Sequence, residues 1–345
     1  MKGPQSPRSL GFRMPAEWEH QYALWTTWPT HSQWWKENRE EIVETFAEIA
    51  FQAARFQHVN ILCPKSAQGD ARQMLETKGA NLKKIRFFDI PTDDVWIRDN
   101  GPIFLRHRKE KEMALIDWEF NAWGEKYPDF DNDNRVPAAI ADHVGIPRFR
   151  YALCVEGGAI ESNGRGLLLS TKSVMLNQAR NYDVSLEEYQ KIFYHALAVD
   201  KVIWLENGLA HDDTDGHIDN VARFVSHQHI VIATVKDKKH PSFRALHGNR
   251  TELSGTMVRG HMLKITELPL PDPVQSQDGI LSASYLNYVI LNGAVLVPQF
   301  GQIRKDKQAI EIIGGLFPGR EIIGIDCRTL IEEGGGLHCC TCNAF

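Results

Sequence analysis

Apolar positions recur at three- and four-residue spacing over 36–54, where Ile42, Val43, Phe46, Ile49, Ala50 and Ala53 would share one helical face. The pattern then shortens. Residues 59–63 form a compact apolar run that Pro64 ends, read as a strand, and 66–78 reads as a polar helix stopped by Gly79. Segment 82–90 leads into an Asp93-Asp94 loop, and 103–105 with 113–118 predict a strand pair joined by the charged turn 106–112. The second half keeps this rhythm. Ser185 and Glu188 form a capping box opening a helix through Ala198. A strand follows over 201–205, and 222–225 pairs with 229–235 across Ser226-His227-Gln228. A longer β run over 286–297, a helix over 305–314 and a strand over 321–325 complete the chain. Units of strand, strand, helix and strand recur without evident self-similarity in sequence. Periodicity therefore predicts an α/β class and stops there. No Pro/Gly/Ser-rich linker divides the chain, so a disordered or extended lead-in over 1–13 and a single domain over 14–345 are expected.

With 43% hydrophobic and 24% charged residues, the 345-residue chain has the balance of an ordinary globular protein. A net charge of -5 and a pI near 6.3 speak against a nucleic-acid surface. No apolar run approaches membrane-spanning length, and the first residues lack the apolar stretch of a secretory signal. Six cysteines, three of them packed near the end, do not resemble a disulfide framework. The expected compartment is the reducing cytoplasm, with neither membrane nor nucleic acid as partner.

Candidate chemistry concentrates in Glu332-Glu333-Gly334-Gly335-Gly336-Leu337-His338-Cys339-Cys340-Thr341-Cys342. A glycine triplet running into a cysteine offers a thiol on backbone of little bulk, which suits a nucleophile. A buried structural cysteine is the common competing role. Cys339-Cys340-Thr341-Cys342 also holds a Cys-x-x-Cys spacing beside His338, but Cys63, Cys154 and Cys327 are isolated, so a zinc site lacks its second ligand pair. No metal is expected. His217, between Gly216 and Asp219, can serve as acid and base near neutral pH. Asp99 and Asp219 are the acids to pair with a guanidinium, whose planar donors match carboxylates in bidentate fashion. Asp99 could equally bridge to Arg98 or cap the turn at Asn100-Gly101, and Glu156-Gly157-Gly158 alone reads as a turn.

Together these segments resemble the agmatine deiminase and bacterial-type peptidylarginine deiminase family. The resemblance rests on Met14-Pro15-Ala16-Glu17-Trp18-Glu19 with Thr27-Trp28-Pro29, Trp96-Ile97-Arg98-Asp99-Asn100-Gly101-Pro102, Phe120-Asn121-Ala122-Trp123-Gly124, Glu156-Gly157-Gly158, Gly216-His217-Ile218-Asp219-Asn220, Pro298-Gln299-Phe300-Gly301 and His338-Cys339, in that order. It implies a pentein fold, a five-bladed α/β propeller with its site near the central axis, and makes 14–345 a catalytic domain. By the same resemblance Cys339 is the nucleophile and His217 the acid and base. Asp99 and Asp219 clamp the guanidinium, and Glu156 holds the substrate or orients His217. Two departures stand out: Gly336 sits where the family often has asparagine, and the tail after the cysteine is Cys342-Asn343-Ala344-Phe345 rather than Gln-rich.

The expected activity is cofactor-free hydrolysis of a small cationic guanidinium compound. Agmatine is the first choice, giving N-carbamoylputrescine and ammonia, and assembly into a homo-oligomer is compatible with it. Agmatine carries a distal ammonium and no carboxylate, so its tail calls for acids and aromatics. Asp93, Asp94, Trp96, Asp213 and Asp215 lie nearby in sequence. Arg98 and Arg223 could instead read the carboxylate of free or peptide-terminal arginine. The resemblance also leaves room for amidino transfer, which shares the covalent intermediate. A metal- or redox-responsive binding protein built around the terminal cysteines is the non-enzymatic rival.

Overall fold

The computed structural model describes residues 5–30, 38–258, 260–276 and 279–345. Its strands follow the apolar runs. Ala23–Thr27 and Leu167–Thr171 are buried at every position, as expected of strands covered on both faces, which show no polar alternation.

Five sheets share one construction. Met113–Glu119 pairs antiparallel with Ile103–His107 and parallel with Arg148–Cys154. Leu167–Thr171 has the same relation to Ile160–Ser162 and Lys201–Leu205, and His229–Thr234 to Ala222–Ser226 and Lys264–Pro269. Ala294–Gln299 repeats it with Val289–Ile290 and Glu321–Asp326. In the fifth sheet Ala23–Thr27 lies between the antiparallel Thr341–Ala344 and the parallel His58–Leu62, with Ile85–Phe88 beyond. A parallel crossover needs a connection about a dozen residues long, usually helical. Helices Val136–Val144, Leu186–Ala196, Phe243–Ser254, Ile303–Leu316 and Arg39–Phe56 supply the five. Two short hairpins, Met257–Val258 with His261–Met262 and Gln275–Ser276 with Gly279–Ile280, are additional.

A tight turn precedes the antiparallel strand in each sheet, closed by a backbone bond across three residues. Asp99 N–H donates to Trp96 O, Ala159 to Glu156, Val221 to Ile218, Asn287 to Ser284 and Thr341 to His338, at 2.9–3.3 Å. These five turns hold Asp99, Glu156, Asp219, Asn287 and Cys339.

The capping box of Ser185 and Glu188 forms as expected. Helix 36–54 is observed as Arg39–Phe56, with positions 36 and 37 outside the described residues. The long β run over 286–297 is instead a hairpin, Val289–Ile290 and Ala294–Gln299, because Asn292-Gly293 supplies the two-residue turn. Of the lead-in over 1–13, residues 1–4 lie outside the described set. Arg8–Leu10 forms a 3-10 turn, and Phe12–Arg13 pairs with His107 and Arg106. No helix among the described residues is long and apolar enough to cross a membrane.

Candidate active site

The five turns converge. The Cα of Gly158 lies so close to the others that a Cβ there would be 2.5 Å from His217 Nδ1, 2.9 Å from Asp99 Oδ1 and 3.1 Å from Asp219 Oδ2. His217 is wholly buried, its Nδ1 3.6 Å from Asp99 Oδ1 and its Nε2 3.9 Å from Glu156 Oε2. Neither ring nitrogen has a partner within hydrogen-bond distance among the described residues. Asp99 is held by Gly158 N–H at 3.0 Å and Trp123 Nε1 at 3.1 Å. Glu156 accepts from Arg180 Nε at 2.8 Å, and Asp219 Oδ2 meets His338 Nδ1 at 2.8 Å. Cys339 closes the group, with Asn287 Nδ2 3.4 Å from its sulfur and Arg98 N–H bonded to its carbonyl.

A cavity of about 590 Å³ leads to Cys339 and Asp99. Trp96 and Trp123 line it. Carboxylates dominate the rest of the wall, with Asp94, Asp212, Asp213, Glu332 and Glu333, while Lys126 and His211 are its basic members. Tyr127 reaches toward Asp213 at 3.4 Å.

Charges here are finely opposed. Burial works against a charge on His217, but Asp99 and Glu156 outweigh it and lift its pKa to about 9. Burial would raise Glu156, yet His217 and Arg180 hold it down near about 2. Burial also opposes ionisation of Asp219, and His338 prevails, keeping it low. For Asp99 burial wins and the carboxyl is pushed up. The Cys339 thiol is raised well above its usual value by burial and then by Asp219 and Asp99. Burial and the two neighbouring carboxylates together disfavour a thiolate at Cys339.

The structure brings Cys339, His217, Asp219, Asp99 and Glu156 together, with Trp96 and Asp94 on the cavity wall. Asp93 and Asp215, expected at the substrate, are placed elsewhere. Asp93 accepts from Asn132 N–H and Nδ2 at 2.7 Å each. Asp215 pairs with Lys126 and Arg180 and so braces the arginine that holds Glu156. Arg98 and Arg223 do not face the cavity either. Arg98 bonds His338 O and Asn343. Arg223 is fully buried between Glu161 and Glu17.

Sequence reasoning missed Asn287, Glu17, Arg180 and the second role of His338. Asn287 Oδ1 accepts from His338 N–H at 2.8 Å, and Glu17 takes the other side of the His338 ring at 2.8 Å. The glycine triplet also works differently from expectation. A Cβ on Gly336 would lie 2.5 Å from Asn287 Oδ1, and one on Gly335 would collide with the Trp96 ring. The glycines admit these side chains as well as leaving the thiol accessible. Cys340 is buried in the core, and Cys342 turns away, its sulfur 3.2 Å from Pro102 O.

Fold and site together define a pentein-type α/β protein with a buried cysteine, histidine and carboxylate centre. The chain belongs to the Porphyromonas-type peptidyl-arginine deiminase family, whose model matches residues 13–344. It is 34% identical to an agmatine deiminase of Medicago truncatula over 97% of both chains. The agmatine deiminase of Enterococcus faecalis superposes with a TM-score of 0.92 at 28% identity, covering 99% of this chain and 98% of that one. A Campylobacter jejuni agmatine deiminase with substrate bound gives 0.88 at 29% identity, covering 97% and 96%.

Proposed function

We propose that the protein is a hydrolase that deiminates agmatine, giving N-carbamoylputrescine and ammonia. One observation carries the substrate: the cavity reaching Cys339 is walled by carboxylates, and its Lys126 is already paired with Asp215. Both arginines that could have read a substrate carboxylate are committed to internal contacts. A dication with guanidinium inward and ammonium outward matches this wall, whereas the α-carboxylate of arginine would face Asp94, Asp213 and Glu333.

Entry of the guanidinium between Asp99, Glu156 and Asp219 offsets the negative charge that holds the Cys339 proton, and that proton leaves to solvent. The thiolate attacks the guanidinium carbon, oriented by the carboxylates. His217, protonated at neutral pH, gives its proton to the departing amino group, and ammonia leaves an amidino thioether on Cys339. Water then attacks the same carbon and passes a proton to the now neutral His217. Collapse expels the sulfur, which takes up the hydroxyl proton of the adduct to restore the Cys339 thiol, and frees the ureido product. The released ammonia and the proton lost at the start account for the ammonium formed. No cofactor enters this sequence.

Ammonia release compared across agmatine, free arginine and a peptide carrying arginine tests the reading. Agmatine should be turned over with much the highest kcat/KM. Equal or better turnover of arginine, free or in the peptide, would overturn the substrate while sparing the chemistry.

A further inference from the structure

Three buried carboxylate oxygens around the site have no hydrogen-bond partner among the described residues: Glu156 Oε2, Asp219 Oδ1 and Asp212 Oδ2. The first two belong to residues already given roles. Asp212 has none so far. It is only 9% exposed and lines the cavity that ends at Cys339. Its other oxygen is firmly committed: Oδ1 accepts from Thr214 N–H at 3.0 Å and from Thr214 Oγ1 at 2.6 Å. Thr214 Oγ1 in turn accepts from the His217 N–H at 3.2 Å. One oxygen thus fixes the carboxylate while the other is held bare. A buried acceptor left without a donor is costly, and such groups call for an explanation in what they meet when the site is filled.

We propose that Asp212 touches the substrate, its Oδ2 accepting an N–H of the bound cation while Oδ1, through Thr214, steadies the turn that carries His217. The inference rests on the guanidinium reading above. An alkylguanidinium presents five N–H donors and no acceptor. Asp99 already accepts from Gly158 and Trp123 on its two oxygens, and Glu156 and Asp219 each keep one open. Asp212 adds a third open oxygen, within the electrostatic reach of His217 and Asp219.

The test compares Asp212→Asn with Asp93→Asn, at a carboxylate bonded to Asn132 and not lining the cavity, using the best guanidinium substrate of the unsubstituted enzyme and methylguanidinium as a competitive inhibitor. In Asp212→Asn the amide oxygen can still serve Thr214, while its NH₂ stands where the substrate needs an acceptor. We expect kcat/KM to fall about tenfold to a hundredfold, the range for a hydrogen bond to a charged group, and the methylguanidinium inhibition constant to weaken in parallel. Asp93→Asn should leave that inhibition constant close to the unsubstituted value. Values within about threefold in Asp212→Asn would overturn the contact, as would an equal loss of methylguanidinium binding in Asp93→Asn. A wild type silent on agmatine but active on arginine would sink the substrate reading and leave this comparison standing.

Discussion

At the scale of single residues the three terminal cysteines separate cleanly. Cys339 alone of them lines the cavity, so Cys339→Ser should abolish ammonia release, because a serine hydroxyl is far less ionised near neutral pH. Cys340→Ser and Cys342→Ser, if folded, should remain active, and activity in Cys339→Ser would mean the wrong sulfur has been assigned. Asp94 gives a pH signature. Burial pushes its carboxyl to about 7, so it is neutral below that pH and offers no charge to a distal ammonium. The KM for agmatine should rise as pH falls below 7, and Asp94→Asn should flatten that limb. An unchanged KM limb in Asp94→Asn would remove Asp94 from the tail site. Residues with a distinctive sequence signature, such as Cys339, His217 and Asp99, could be singled out from the chain, and the fold brings them together. Those whose role comes only from what they touch could not be singled out. Asp93 and Asp94 are adjacent and alike in sequence, yet one caps the Asn132 backbone and the other faces the cavity.

Among elements, the five pre-strand turns are the unit least visible in the chain. Periodicity shows the strand, strand, helix, strand rhythm but not that each unit delivers a turn to one point. No shared motif marks them: Asp99-Asn100, Glu156-Gly157, Asp219-Asn220, Asn287-Tyr288 and Cys339-Cys340 share a position in the fold rather than a residue type. Asn287 was missed for that reason. It looks like any asparagine ahead of a strand, yet its Oδ1 holds the His338 amide and its amide nitrogen faces the nucleophile. The Gly336 departure is intelligible at this scale, since Asn287 occupies the space a Cβ there would need. Gly336→Ala should therefore displace Asn287, lower kcat more than it raises KM, and cost about 1–3 kcal/mol of stability through overpacking. Denaturant melts with steady-state kinetics would check both effects. A Gly336→Ala enzyme with ordinary kcat and stability would mean that Asn287 can move without consequence.

On the scale of the whole molecule, the ends of the chain and the middle are tied by one buried ionic network. Glu17, from the first motif, accepts from Arg223 at 2.6 Å, from His338 at 2.8 Å and from the Ile290 amide at 2.9 Å. Arg223 also meets Glu161 at 2.9 Å and the carbonyls of Leu286 and Tyr288 at 3.1 Å. One carboxylate and one guanidinium thus bridge four of the five sheets, and His338 passes the connection to Asp219 in the site. Sequence alone could not show this, because the partners are separated by 62 to 321 residues and each reads as a plausible surface charge. Removing one member of a buried pair leaves the other charge uncompensated, typically at about 3–5 kcal/mol. Arg223→Met should accordingly lower unfolding stability by about that amount and reduce activity on every guanidinium substrate alike, since Asp219 loses its support through His338 and Glu17. Were Arg223 instead a reader of substrate carboxylate, the same change would leave the unfolding midpoint in place and selectively weaken arginine relative to agmatine. Urea melts and the agmatine-to-arginine ratio of kcat/KM, measured on one preparation, separate the two outcomes.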